Sequence, residues 1–400
     1  MQQITECRAC KSPDLTEVLD LGEQYLSDFR DDDSKPPKYP IVAVICGECK
    51  LVQLKHTTPQ PEMYHERYGF KSGVSDSIKA DLKDIVQHGL AYKDNPGAWL
   101  DIASNDGTLL SYVPTNTYKV GVDPVGFLCE EAKQHADVII NAYFTGKTIP
   151  LPHPGFDVIT SISCFYDMPD PSQFVQDVKA VLAEGGVWVI QQNYLLTTMQ
   201  LSAVDNFCHE HLEYYTLLSL ENLLDRFGLE VNEVMLSGVN GGSIRTVVSH
   251  KGAHSIDKSV EEQREVEREY GLDTLKPYQD FAAGVKAKLD ELHDLVAGLK
   301  KEGKTVAILA ASTRGGTIWQ SAKIGPDLVD YAVERNPAKV GKWFSAIGIP
   351  IVSEEEARER KPDYMLVGPW FFDDEIIVRE TEYLKAGGHL IVPLPEVKIV

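Results

Sequence analysis

The sequence predicts an α/β protein of three units: a small metal-bound amino-terminal domain, a central α/β domain and a smaller α/β domain at the carboxyl end. Three observations carry that expectation. Two close cysteine pairs near the start fall in the spacing C-x2-C-x35-C-x2-C. From Ala98 to His250, short apolar runs alternate with amphipathic stretches, as strands and helices do in a layered fold. A charged helical stretch follows, and the alternation starts again at Lys304. The expected divisions are residues 1–65, 66–255 and 256–400.

Cys7 and Cys10 form one knuckle, and Cys46 and Cys49 the other. A two-residue gap lets both sulfurs of a knuckle reach one ion, and two knuckles close a tetrahedral S4 shell, the preference of structural zinc. Such a shell has no open position for catalysis. A segment this short buries too little apolar surface to fold alone, so the metal is expected to fold it.

The chain has 400 residues, 43% of them hydrophobic, and a formal net charge of −21. That balance excludes nucleic acid as the expected partner, because a phosphate backbone must be met by clustered Lys and Arg. "MQQITEC" lacks the basic and apolar start of a signal peptide, and no apolar run is long enough to span a bilayer. Paired cysteines without such a signal point to metal binding in a reducing compartment. The expectation is a cytoplasmic protein without membrane attachment, for which a monomer suffices.

In the central unit a helix is expected from about Ser75 to Tyr92, ahead of "GAWLDIASNDGTLL". The run ending in Asp101 reads as a buried parallel strand, and Ser104, Asn105, Asp106 and Gly107 as a tight turn into a helix. A second strand ends in Asp123, the position from which an acid bonds ribose hydroxyls in doubly wound folds. Further strands are expected at "DVIINAYF", "FDVITSIS" and "VWVIQQNYLL". "LEVNEVMLS" and "SIRTVVSH", joined by "GVNGG", read as an antiparallel hairpin closing the sheet. That closure resembles class I S-adenosylmethionine-dependent methyltransferases rather than nicotinamide-binding domains. Their first loop commonly reads D-x-G-x-G-x-G; here only Gly107 matches, with Ala103 and Asn105 in the other slots.

Residues 257–301 read as a pair of helices with a solvated face. "KTVAILAASTRGGTIWQSA" then reads as a strand, a turn and a helix start. This turn aims N–H groups and Arg314 at an anion.

Between the fifth central strand and the next helix stands "DNFCHEHLEYY", residues 205–215. If extended, His209 and His211 point the same way and could hold a metal with Glu213. The alternatives are a structural histidine network or acid–base work, at the sheet edge where open α/β folds bind ligands.

The pieces together resemble the zinc-containing C-methyltransferases that act on nucleotide-linked keto-deoxysugars. The likeness runs nearly end to end, through the cysteine pairs, "YGFKSGVS" (68–75), "LDIASNDGTLL", "CHEHLEYY", "NGGSIR" (240–245), "AASTRGG" (310–316), "VERNPAKVG" and "IVPLPEV". It implies a central Rossmann-like domain that binds S-adenosylmethionine, through Asp101, Ala103, Ser104, Asn105, Gly107, Asp123 and Asn141. It implies a smaller Rossmann-like third domain that helps hold a nucleoside diphosphate through Ser312, Thr313 and Arg314. Lys71, Ser72, Tyr214, Asn240 and Arg245 are the other expected substrate contacts. A histidine of the His–Glu–His run serves as the base that deprotonates the carbon beside a ketone, His211 before His209. Glu210 orients an imidazole, and Tyr68 donates to the developing oxyanion, a task also open to Tyr214 or Tyr215. Two departures mark a divergent subgroup: Cys208 where relatives carry tyrosine, and "YLSDF" in place of "PLAN". Competing classes are a sugar O- or N-methyltransferase, a nicotinamide-dependent sugar oxidoreductase, and a zinc-ribbon binding module.

Overall fold

The computed structural model describes residues 1–64, 71–152 and 154–400, so Tyr68 lies outside the described residues. In the amino-terminal unit Leu15–Tyr25 pairs antiparallel with Lys38–Cys46, which pairs with Val52–Leu54. A fourth strand comes from far along the chain. Glu213–Tyr214 aligns with Gln53 and Val52, so the end of the histidine-rich run belongs to the zinc domain's sheet.

The central sheet has seven strands, in the order Leu229–Ser237, Ser243–His250, Leu182–Asn193, Phe156–Ile162, Ala98–Ile102, Tyr118–Asp123, Val138–Asn141. Only Ser243–His250 runs against its neighbours, which gives the expected antiparallel closure. Strands buried on both faces explain the unbroken apolar runs, and Trp99 and Trp188 fill the core at 0% exposure. The helix Asp76–Tyr92 starts where Ser75 accepts the Ile78 N–H, and Leu217–Asp225 starts at a capping box made by Thr216 and Ser219. The fifth strand ends earlier than its apolar run: Tyr194 turns away and Leu195–Gln200 is helical.

The helices Lys258–Tyr270 and Lys276–Lys301 lead into the third unit. Val285, Leu289, Leu292, Val296 and Leu299 of the longer helix are buried in that unit's core, four and three residues apart. Parallel strands Val306–Leu309, Ala332–Glu334, Ile349–Ser353, Tyr364–Val367 and His389–Val392 form its sheet. Its far edge continues through Trp343–Phe344 into Phe29–Arg30 of the amino-terminal unit. Among the described residues no helix is long and apolar enough to cross a membrane.

Candidate active site

The four cysteine sulfurs lie within 4.8 Å of one another, with Cys7 and Cys49 3.5 Å apart and Cys10 and Cys46 3.4 Å apart. A tetrahedral shell with metal–sulfur bonds of about 2.3 Å has edges of about 3.8 Å, so the cage fits zinc. Gln53 donates to the Cys7 sulfur at 3.2 Å, while its own amide oxygen accepts the Arg8 N–H at 2.9 Å. Arg8 then meets Glu213 at 3.5 Å, with both side chains buried. Among the described residues no other cluster of three or more His, Cys, Asp or Glu side chains converges.

At the carboxyl ends of the central strands lies a cleft of about 340 Å³, lined by Asn105, Asp123, Tyr143, Phe144, Cys164 and Asp167 among others. The loop beneath it explains the glycine slots. Ala103, Asn105 and Gly107 have φ of 58°, 51° and 77°, the left-handed region. A side chain there costs about 1–2 kcal/mol that glycine avoids, so Ala103 is held under strain by the surrounding bonds. Asp123 supplies two of them, accepting the Asn105 N–H at 3.0 Å and the Val125 N–H at 2.8 Å. Burial raises its carboxyl above the usual range. Asn141 donates to the Asp123 carbonyl at 3.0 Å and so braces the strand end. Asp101 accepts from Thr160 at 2.6 Å, and burial lifts it to about 7. Asp101 and Ser104 line a smaller adjoining cavity, and the Ser104 hydroxyl is buried there without a partner. The Ser72 N–H donates to Asn105 at 3.0 Å, and Lys71 pairs with Glu131. Ser72 therefore lies against the strand-end loop and Lys71 against the helix Gly126–Ala132.

The histidine run is a turn, closed by the His211 N–H on the Cys208 carbonyl at 3.2 Å. The two imidazoles thus do not share a strand face, and each has its own anchor. His209 Nε2 donates to the Tyr39 carbonyl at 2.9 Å, and burial lowers this histidine to about 4. His211 Nδ1 donates to the Asn206 carbonyl at 2.8 Å, and the Tyr166 ring packs on it at 4.4 Å. Burial first, then the charge of Arg314, lower His211 to about 3. A carbonyl only accepts, so neutral His211 carries its proton on Nδ1 and leaves Nε2 bare. No described residue bonds that Nε2.

Two carboxyls belong to the residues that flank the packed Tyr166 and His211 rings, Asp167 and Glu210. Burial raises Glu210, and it raises Asp167 well above the carboxylate range, with the nearby Glu210 adding to the effect. Tyr64 donates to one Asp167 oxygen at 3.0 Å, while the other is buried without a partner. Tyr214 and Tyr215 turn inward. Tyr214 stacks on Phe207 at 4.2 Å, Tyr215 on Phe165 at 5.1 Å, and both hydroxyls are buried. In-and-out alternation along Glu213–Tyr214 is set by pairing with Val52–Leu54, which the local sequence does not announce.

The third unit reaches this turn through Arg314, which grips Asp205 through Nε at 2.8 Å and the Asn240 carbonyl at 2.6 Å. Ser312 caps its own helix, accepting the Gly315 N–H at 3.1 Å, with Thr313 next to it. Arg245 sits mid-strand and is committed to Asp84 at 2.7 Å, Gln191 at 2.8 Å and Asp81 at 3.2 Å. Sequence reasoning missed Asp205, Tyr166 and Asp167. Asp205 stands at the head of the titratable run, a signal that was available; the other two carry none.

Comparison with known proteins bears on every unit. Residues 7–64 match a zinc binding domain, 76–234 a methyltransferase domain, and 238–395 a C-methyltransferase C-terminal domain. The chain is 30% identical to the C-methyltransferase NovU of Streptomyces niveus, over 100% of this chain and 98% of that protein. Among solved structures, the plantazolicin methyltransferase BpumL in complex with SAH covers 44% of this chain and 86% of its own, at 13% identity and a TM-score of 0.36. The complex of the Haloferax volcanii Trm112 methyltransferase activator with its methyltransferase matches at 14% identity and a TM-score of 0.36, over 44% of this chain and 94% of that one. These last two are distant likenesses.

Elemental analysis of the purified chain is expected to give one zinc per molecule. Cys46→Ser should lose the metal and unfold the amino-terminal unit, lowering stability by more than about 2 kcal/mol, because metal affinity here is folding free energy. A folded, zinc-free variant of wild-type stability would overturn the structural role.

Proposed function

Because the chain belongs to the C-methyltransferase family, whose members combine a zinc-binding unit with an S-adenosylmethionine-dependent methyltransferase domain, we propose that its substrate is a nucleotide-diphosphate-linked 4-keto-deoxysugar. The methyl group is added at the carbon beside the ketone, C-3. One observation carries the reading: His211 is neutral and anchored through Nδ1 to the Asn206 carbonyl, and no described residue bonds its Nε2.

The chemistry asks for that arrangement. A C–H proton beside a ketone must be removed, and the electron pair must be held as an enolate until a new C–C bond forms. Nε2 takes the proton, and the Asn206 carbonyl steadies the imidazolium through Nδ1–H. Burial favours the protonated forms of Asp167 and Glu210, and a carboxylic acid there can donate to the enolate oxygen. That task was expected of tyrosines, but Tyr214 and Tyr215 are buried and Tyr68 lies outside the described residues. S-adenosylmethionine, when bound, supplies a methyl group on a positive sulfur, an electrophile strong enough to meet the enolate carbon. Asp123 accepts the ribose hydroxyls, the Asp101–Gly107 loop surrounds the methionine portion, and Asn141 holds the strand end in register. Ser312 and Thr313, at the start of the third unit's helix, face the diphosphate.

Asp123→Ala should weaken S-adenosylhomocysteine at least tenfold by calorimetry, about 1.4 kcal/mol, since both the acceptor and the support of Asn105 and Val125 are lost. Unchanged affinity would remove this assignment. In D2O, with S-adenosylhomocysteine and the keto-sugar, wild type should exchange deuterium into the carbon beside the ketone. His211→Ala should slow exchange and methylation by about 10²–10⁴-fold while binding both ligands. Exchange surviving in His211→Ala and vanishing in His209→Ala would transfer the role to His209.

A further inference from the structure

We propose that Arg314 of the third unit is a positioning residue for the base in the central unit, acting through Asp205 and the Val204–Asn206 turn. The inference rests on His211 being the base. The carbonyl that holds His211 belongs to Asn206, the last residue of that short turn. Three attachments fix the turn. The Asn206 amide oxygen accepts from Asn193 at 2.8 Å, and its nitrogen donates to Thr198 at 2.7 Å, both within the central unit. The third attachment crosses between units. Nε and a terminal nitrogen of Arg314 reach the same Asp205 oxygen, at 2.8 and 2.7 Å. The Asp205 side chain is fully buried, and its second oxygen has no partner. Arg314 is therefore the cation that compensates a carboxylate one residue from the imidazole's anchor.

The guanidinium is itself held rigid. It donates to the Asn240 carbonyl at 2.6 Å and lies 4.4 Å from the Phe371 ring centroid. A free phosphate ligand would point into a cleft, whereas this group joins the turn, the 240–242 hairpin end and the third unit. Its position also gives it an electrostatic effect on the base. The titratable and charged groups around His211 are Arg314 from the helix Thr313–Ser321, Asp205 from the turn, and Tyr166 and Asp167 from Phe165–Asp167. Cys208, His209 and Glu210 come from its own turn. Among the described residues Arg314 is the cation of this group. Together with burial it disfavours imidazolium, and so extends towards lower pH the range in which His211 stays in the proton-accepting form.

The sign follows. A base works when deprotonated, so rate is lost as pH falls through its pKa. Removing the cation raises that pKa, and the acid limb of the rate profile moves to higher pH. Removing the Asp205 charge leaves the cation unmatched, and the limb stays or moves lower. The test compares Arg314→Met, Arg314→Lys and Asp205→Asn in the full chain. The readouts are deuterium exchange into a nucleotide-linked 4-keto-deoxysugar from pH 2.5 to 8, substrate KM, S-adenosylhomocysteine affinity, and the titration of the His211 imidazole by NMR over the same range. The last needs no substrate. Arg314→Met is expected to lower the maximal rate at least tenfold and raise the His211 pKa by about one unit, with KM within threefold and S-adenosylhomocysteine affinity unchanged. Arg314→Lys keeps the charge, so its limb should stay near wild type; Asp205→Asn should slow the reaction without an upward shift. If Arg314→Met fails to fold, the other two variants decide. A rise in KM alone would make Arg314 a substrate ligand and overturn the proposal. Equal losses at every pH, with an unmoved imidazole titration, would reduce it to a structural tie. Failure of the base reading itself is separate: exchange would then survive in His211→Ala, whatever Arg314 does.

Discussion

The segment 204–215 must satisfy its buried polar groups against three different units at once, and the remaining architecture depends on that constraint. Glu213–Tyr214 completes the zinc unit's sheet, and the Leu54 N–H donates to the Leu212 carbonyl at 2.8 Å. The Leu195 N–H of the central unit donates to Tyr215 at 3.0 Å, and Asp205 meets Arg314 of the third. At the zinc end the constraint is charged. Arg8 follows a metal ligand directly and faces Glu213 in a dry interior, where burial raises the carboxyl well above its usual range. Breaking a buried pair by removing one partner costs about 3–5 kcal/mol. The metal cage is thus tied through Gln53 and Arg8 to the strand that ends the histidine turn.

That arrangement also explains why so many ionisable groups gather in a connection. Burial holds His209 and His211 neutral and pushes Asp167 and Glu210 toward their protonated forms. The site is thus poor in net charge inside a chain of net charge −21. The proposed removal of a proton from carbon fits such surroundings, because an enolate would be the strongest new anion in them. Chain connectivity gives this layout its economy: the same turn that carries His211 is tied to both flanking units.

Much of the fold was legible because its signals are local. Cysteine spacing, acid-ended apolar runs and the "GVNGG" hairpin each fix a piece of backbone without distant help. The loop after the first central strand was legible for a reason the structure makes physical, since the slots usually given to glycine are the left-handed ones, here filled by Ala103 and Asn105. Long-range pairing hid the rest. The period-two argument for His209 and His211 assumed a strand, and a turn stands there instead. Tyr214 faces inward because Val52 sets its register, 162 positions earlier. Arg245 and Arg314 read as free cations, yet each is matched by carboxylates far away in sequence, Asp81 and Asp84 for one and Asp205 for the other.

The most direct test is the position of the transferred methyl group. The purified zinc protein is incubated with 13C-methyl-labelled S-adenosylmethionine and a panel of nucleotide-linked 4-keto-deoxysugars, and the products are read by NMR. The account predicts a labelled methyl bonded to the ring carbon beside the ketone, with that carbon's original proton lost. A label on oxygen or nitrogen, or transfer that leaves the neighbouring C–H untouched, would contradict it.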